Sequence, residues 1–241
     1  MTQYLTAREL SSELEKRVRE LAPQWVSHIP DLNVRLTGVI ADEPDQVLVN
    51  LSYEEFLREF EGQFAEWEDG KVVLMSPVSI KHQLLLQFLL RLIAEFTESH
   101  MLGLALMAPF QMRLAKIRRG REPDLIFIKS ANFARLKKNY LDGPADIAVE
   151  IISPESMVRD RNIKFAEYAE AHVPEYWLID PENEIADFYQ LSETGRYQSI
   201  PLDAQGFYHS PSLPGLAINP TWFWQVPLPT VRPILRNLGI D

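Results

Sequence analysis

Between residues 81 and 100 the apolar side chains Leu84, Leu85, Phe88, Leu89, Leu92, Ile93 and Phe96 recur at three- and four-residue spacing. That period predicts an amphipathic helix laid along a core. A weaker version runs over 7–21, where Ala7, Leu10, Leu14, Val18 and Leu21 share one side. The Pro-punctuated stretch from Pro23 to Asp45 then reads as irregular structure. Ser52 with Glu55 three residues on has the form of a capping box and predicts a helix start. Residues 64–75 predict a hairpin, because Asp69-Gly70 is a strong turn dipeptide and the β-branched pair Val72-Val73 follows it. Strands are expected over 102–114 and 124–128, separated by a basic loop at 116–121, with Pro123 limiting pairing at the start of the second. After a turn at Asp142-Gly143-Pro144 comes a strand at 146–152. Ser153 and Pro154 then open a helix reaching about residue 171. Two more strands, 175–180 and 184–190, surround a turn at Pro181, and 196–200 adds another. From Pro211 onward, Leu213, Leu216 and the Trp222-Phe223-Trp224 run read as core cover rather than an exposed patch.

Two of these strands break the apolar pattern in the same way. The runs 124–128 and 146–152 are apolar at nearly every position, as strands covered on both faces are, yet they hold the carboxylates of Asp124 and Glu150. An ionised acid among apolar neighbours is costly unless something positive shares its site, and a metal ion or a buried salt bridge with an arginine answers that need. On the following helix Asp160, Lys164 and Tyr168 fall four residues apart and therefore on one face.

Composition narrows the classes. At 241 residues, 46% hydrophobic and 10% aromatic, the chain is expected to fold around one sizeable core with extensions. No apolar run approaches the roughly 20 residues of a membrane helix, and no secretory signal opens the chain. With no cysteine, thiolate metal sites and disulfides are excluded, and a cytoplasmic location is expected. His28, His100, His172 and His209 show no zinc-ligand spacing. His82 opens the long helix, where capping or packing competes with a place beside an active site. Tyr176 and Trp177 read as core rather than as base-stacking platforms. A formal charge of −10 argues mildly against a general nucleic-acid binder. Residues 113–164, however, hold twelve basic against seven acidic side chains, so half of the 24 Lys and Arg lie around the suspected site. A solvated loop at 116–121 is the competing reading of that charge.

Taken together, Asp69-Gly-Lys-Val-Val-Leu-Met-Ser-Pro77 with His82, Glu122-Pro-Asp124, Val149-Glu-Ile-Ile-Ser-Pro154, Asp160 with Lys164, Val173-Pro-Glu-Tyr-Trp-Leu-Ile-Asp-Pro181 and Leu213-Pro-Gly-Leu216 resemble the bacterial putative restriction endonuclease family, a branch of the PD-(D/E)XK nuclease superfamily. The likeness covers roughly residues 53–223. It implies an α/β (α+β) fold with a restriction-endonuclease-like core, a mixed central β-sheet flanked by helices. The domain plan it suggests is an N-terminal helical extension at 1–50, the nuclease-like domain at 51–223 and a Pro-rich tail at 224–241. Asp124 takes the place of the superfamily's first acid and Glu150 that of the second. The usual lysine two residues after the second acid would fall at Ile152; in this branch its counterpart is Lys164, on the adjacent helix.

The resemblance implies a metal-dependent endodeoxyribonuclease. Asp124 and Glu150 would be metal ligands, joined by the carbonyl of Ile151, and the ion would be magnesium, or manganese in its place. Lys164 would activate the water or stabilise charge, Asp160 would hold Lys164 and His82 would be accessory. The basic loops would track DNA phosphates, and a homodimer suits an enzyme that cuts two strands. The alternative is a catalytically silent nuclease-fold module that binds nucleic acid or a protein partner. A small phosphate-ester hydrolase ranks lower, because the basic residues span two loops rather than one pocket.

Overall fold

The computed structural model describes residues 46–47, 51–75, 78–154 and 156–240. The helix expected at 7–21 and the irregular stretch after it lie outside the described residues. The chain divides into two compact units, the first ending at residue 76 and the second beginning at residue 77.

In the first unit β1 (Gln46–Val47), β2 (Ala65–Glu68) and β3 (Lys71–Leu74) form antiparallel pairs with β3 in the middle. The turn between β2 and β3 has Asp69 at φ 47° and Gly70 at φ 90°. Both positive values are what the tight type I′ hairpin needs, and they explain the Asp-Gly pair. Helix α1 (Tyr53–Glu59) starts on the expected capping box: the Ser52 hydroxyl accepts from the Glu55 amide at 3.2 Å and Glu55 Oε2 accepts from the Ser52 amide at 2.8 Å. Tyr53 meets Trp67 edge-on at 5.5 Å, so the helix seals one face of the hairpin with aromatic rings.

The second unit opens with α2 (Ile80–Ser99), capped by the Ser79 hydroxyl on the His82 amide. The chain continues through β4 (Gly103–Met107), β5 (Gln111–Leu114), β6 (Arg119–Arg121), β7 (Leu125–Lys129), β8 (Tyr140–Asp142) and β9 (Ile147–Ile151). A π-helical stretch, Arg159–Lys164, runs directly into α3 (Phe165–Glu170). Then come β10 (Glu175–Asp180), β11 (Ile185–Leu191), β12 (Tyr197–Ser199), the short pair β13 (Tyr208–His209) and β14 (Ala217–Ile218), and α4 (Val231–Asn237). The central sheet has the order β12-β11-β10-β9-β7-β4 and is mixed. β9 and β10 are parallel, joined through the helical segment as parallel strands must be, and the other neighbours are antiparallel. β5 lies outside this sheet, pairing antiparallel with β6 and parallel with β8.

Alternation along the strands gives the central sheet two buried faces. Leu125, Phe127, Ile147, Val149 and Ile151 pack under the apolar stripe of α2, together with Trp177, Ile179, Leu213, Leu216 and Phe223. Ile126, Ile128, Ala148, Ile152, Tyr176 and Leu178 pack on the other face with Tyr168 and Val173. Tyr176 and Trp177 are therefore core residues, on opposite faces. Val231, Ile234 and Leu235 of α4 join the first cluster, so the end of the chain covers core. Fully burying one large apolar side chain contributes about 1.5–3 kcal/mol, which makes these two clusters the main source of the sheet's rigidity.

Three expectations are corrected here. The stretch 102–114 is two strands in different sheets, broken at Ala108-Pro109-Phe110, where the chain leaves the central sheet. The basic segment 116–121 is no open loop, because Arg119–Arg121 is a strand paired with β5. Helix expected to be uniform over 153–171 instead contains the π stretch, which places the site residues.

Candidate active site

Strand register brings the two acids together. Leu125 stands opposite Val149 and Ile126 opposite Ala148 across the antiparallel pair β7–β9, and the same register one step further sets Asp124 across from Glu150. Opposite side chains in such a pair share a face, with β-carbons about 4.5–5.5 Å apart. By alternation that face is the one holding Ala148 and Ile152, covered by the segment carrying Lys164 and Tyr168.

Lys164 Nζ donates to Glu150 Oε1 at 2.9 Å, and the Tyr168 hydroxyl donates to the same oxygen at 2.7 Å. Lys164 Nζ also lies 3.4 Å from Asp160 Oδ1. The side chains of Lys164, Glu150 and Asp160 are only 1%, 4% and 3% exposed. The lone acid that the apolar strand made conspicuous is thus answered by a lysine rather than by an arginine. Burial pushes the Asp160 carboxyl above its usual range; the Lys164 ammonium, Ser156 and Arg159 pull it back, and Asp124 adds to the rise.

The π-helical stretch contains both Asp160 and Lys164. Such widened turns are rare and concentrate at functional sites. Here the Tyr176 hydroxyl donates to the Asp160 carbonyl at 3.1 Å. Arg161 anchors the stretch to the sheet, donating to Asp180 Oδ2 at 3.3 Å and to Asp187 Oδ2 at 3.1 Å.

Asp124 closes the group from the other side. Its Oδ2 accepts from the Ile151 amide at 2.7 Å and contacts His82 Nε2 at 3.2 Å. A carboxylate oxygen can only accept, so the fitting tautomer carries its hydrogen on Nε2. His82 is buried and its Nδ1 has no hydrogen-bond partner among the described residues. The Asp124 side chain, 19% exposed, is the member of the group that reaches solvent. All five residues singled out in the sequence therefore meet in one place. Tyr168 is the addition: its place on the Lys164 face was readable, but its bond to Glu150 was not.

The surrounding positive charge is less free than the sequence suggests. Arg121 is fully buried and donates to Glu167 from Nε and Nη2, both at 2.8 Å, while Arg119 Nε donates to the same carboxylate at 2.6 Å. These two arginines fasten α3 to β6, a structural duty that removes them from the pool read as phosphate contacts.

Among the described residues no three His, Asp or Glu side chains gather into a metal cluster. The donor set is two opposed carboxylates, one of them partly open to water. That chemistry fits a hard divalent cation that keeps several of its own waters, and it does not fit a closed tetrahedral zinc site.

The comparisons agree with this architecture. A family model described as "Putative restriction endonuclease" (Uma2) matches residues 52–221. The chain is also similar to the crystal structure of a putative nuclease belonging to DUF820 from Anabaena variabilis ATCC 29413. The TM-score is 0.60 at 16% identity, covering 72% of this chain and 97% of that one, a likeness of fold. No curated protein matches it in sequence.

Proposed function

The chain belongs to this family of putative restriction endonucleases, and on that premise we propose that it is a magnesium-dependent endonuclease hydrolysing phosphodiester bonds in DNA, working as a cytoplasmic homodimer. The observation that carries the reading is the convergence of Asp124, Glu150 and Lys164 from two strands and a helix onto one cluster. Asp124 and Glu150 would hold the ion. A bound magnesium would supply a Lewis acid for the phosphoryl oxygens and a water of lowered pKa. The Ile151 amide and His82 fix Asp124 by its Oδ2, so the carboxylate is set before substrate arrives. Tyr168 and Lys164 do the same for Glu150. An ammonium has donors only, so Lys164 would orient the attacking water or stabilise charge on the phosphoryl group rather than accept a proton.

One observation favours the silent module: Lys164 and Glu150 are almost fully covered. A single assay separates the readings. Purified protein is incubated with plasmid and short duplexes at low salt, in magnesium or manganese, beside Asp124→Ala and Glu150→Ala. Cutting by the parent and none by either variant is the expected result. Duplex binding without cutting by any of the three supports the module and removes the hydrolase.

His82→Ala should be milder. Asp124 keeps its bond from Ile151 but loses a contact that restrains it, so cutting should fall by about ten- to a hundredfold. Initial rates against magnesium concentration check this, and an unchanged rate would reduce His82 to a packing role.

A further inference from the structure

The inner cluster of this site is negative. Asp124, Glu150 and Asp160 face a single ammonium, that of Lys164, which already serves Glu150 and Asp160. A phosphodiester is itself an anion, so it needs a further cation on the protein to settle against three carboxylates. Arg159 stands at the first position of the π stretch, one residue before Asp160. Its Nε is buried without an acceptor among the described residues, and its charge reaches the cluster, where it pulls the Asp160 carboxyl down against the effect of burial.

Four other arginines of this unit, the nearby Arg161 among them, behave otherwise. Arg161 is held by Asp180 and Asp187, Arg119 and Arg121 by Glu167, and Arg135 Nη1 donates to the Pro144 carbonyl at 3.0 Å. A buried arginine donor left unmatched beside an acidic cluster is open to an acceptor from outside the chain. The planar fork of an arginine is suited to two oxygens of one phosphate. The residue is half-buried rather than enclosed, so an anion arriving from solvent can reach it.

We infer that Arg159 is a phosphate-binding residue of this site, taking non-bridging oxygens of a nucleic-acid backbone phosphate; the inference rests on the nuclease reading for the nature of its ligand. It acts by charge and shape, so it carries no base preference.

The test is a salt titration of duplex binding by the full chain in the Asp124→Ala background, with and without Arg159→Ala. Each phosphate contact contributes about 0.9 to the slope of log K against log salt. Arg159→Ala should lower that slope by about one and weaken binding on the order of tenfold at about 0.1 M salt. The loss should be equal on two unrelated duplex sequences. Arg159→Lys should keep the slope. Thermal melting monitors the fold, and Arg159→Gln carries the test should the alanine variant be unfolded. An unchanged slope, a sequence-dependent loss, or a background protein that binds neither duplex overturns the inference. Cutting is scored separately on the chain with Asp124 intact. A parent that cuts while the slope stays fixed sinks Arg159 alone; a changed slope without cutting sinks the hydrolase and leaves a backbone-binding arginine.

Discussion

Lys164→Ala is expected to abolish detectable cutting and to lower the free energy of unfolding by about 3–5 kcal/mol at pH 7, read from urea denaturation. The size follows from burial. Lys164 is 1% exposed and answers Glu150 at 2.9 Å and Asp160 at 3.4 Å; without it two carboxylates remain in an apolar layer with no cation between them. Removing one partner of a buried pair costs far more than the pair contributes as a whole, because the stranded charge keeps its desolvation penalty. The pH dependence gives the sign. Burial, the largest influence on Asp160, already raises its carboxyl, and loss of the ammonium raises it further. A carboxyl whose pKa is raised in the folded state penalises folding above the ordinary carboxylate range and stops doing so once it is protonated in both states. The deficit of the alanine variant should therefore shrink as the pH falls from 7 towards about 4. Replacing Lys164, Glu150 and Asp160 together by Met, Gln and Asn should recover most of the stability and none of the cutting. A Lys164→Ala protein that melts with the parent at pH 7 would mean that the cluster is not assembled in solution.

Much of this arrangement could be read from residue patterns, for reasons that have a physical basis. The stripe of α2, the Asp69-Gly70 turn and the Ser52–Glu55 box are local devices in which neighbours in sequence decide the structure, and all three form as expected. Asp124 and Glu150 are conspicuous because a carboxylate in a doubly covered strand contradicts its surroundings; helical spacing puts Asp160, Lys164 and Tyr168 on one face, and the site role of Lys164 comes from the family resemblance. What was hidden depends on contacts between residues far apart. Arg121 looks like surface charge until β6 pairs with β5 and turns it onto Glu167. The break at Ala108-Pro109-Phe110 separates two strands that join different sheets, a difference fixed by partners far away in sequence. The π stretch leaves no residue signature either. It is held by Arg161 on Asp180 and Asp187 and by Tyr176 on the Asp160 carbonyl, contacts that span 16 to 26 residues.

Asp124→Asn is expected to reduce cutting by about a thousandfold or more while leaving the metal-free protein close to parental stability. The asparagine keeps an oxygen that can accept from the Ile151 amide, now at 2.7 Å, and it is partly exposed, so the fold loses little. What it loses is the negative charge that opposes Glu150 across β7 and β9. Magnesium should then fail to bind, and that failure can be read without any substrate. A ligand that binds only the folded state stabilises it by about 2.7 kcal/mol when present at a hundredfold excess over its dissociation constant. The parent should accordingly melt higher as magnesium is raised, whereas the asparagine variant should show no shift. Tyr168→Phe provides the contrast, since it removes one donor from Glu150 Oε1 while Lys164 remains, and a reduced magnesium shift is expected there. If the asparagine variant responded to magnesium as the parent does, the ion would be binding elsewhere, and the pairing of Asp124 with Glu150 would have to be explained by the lysine alone.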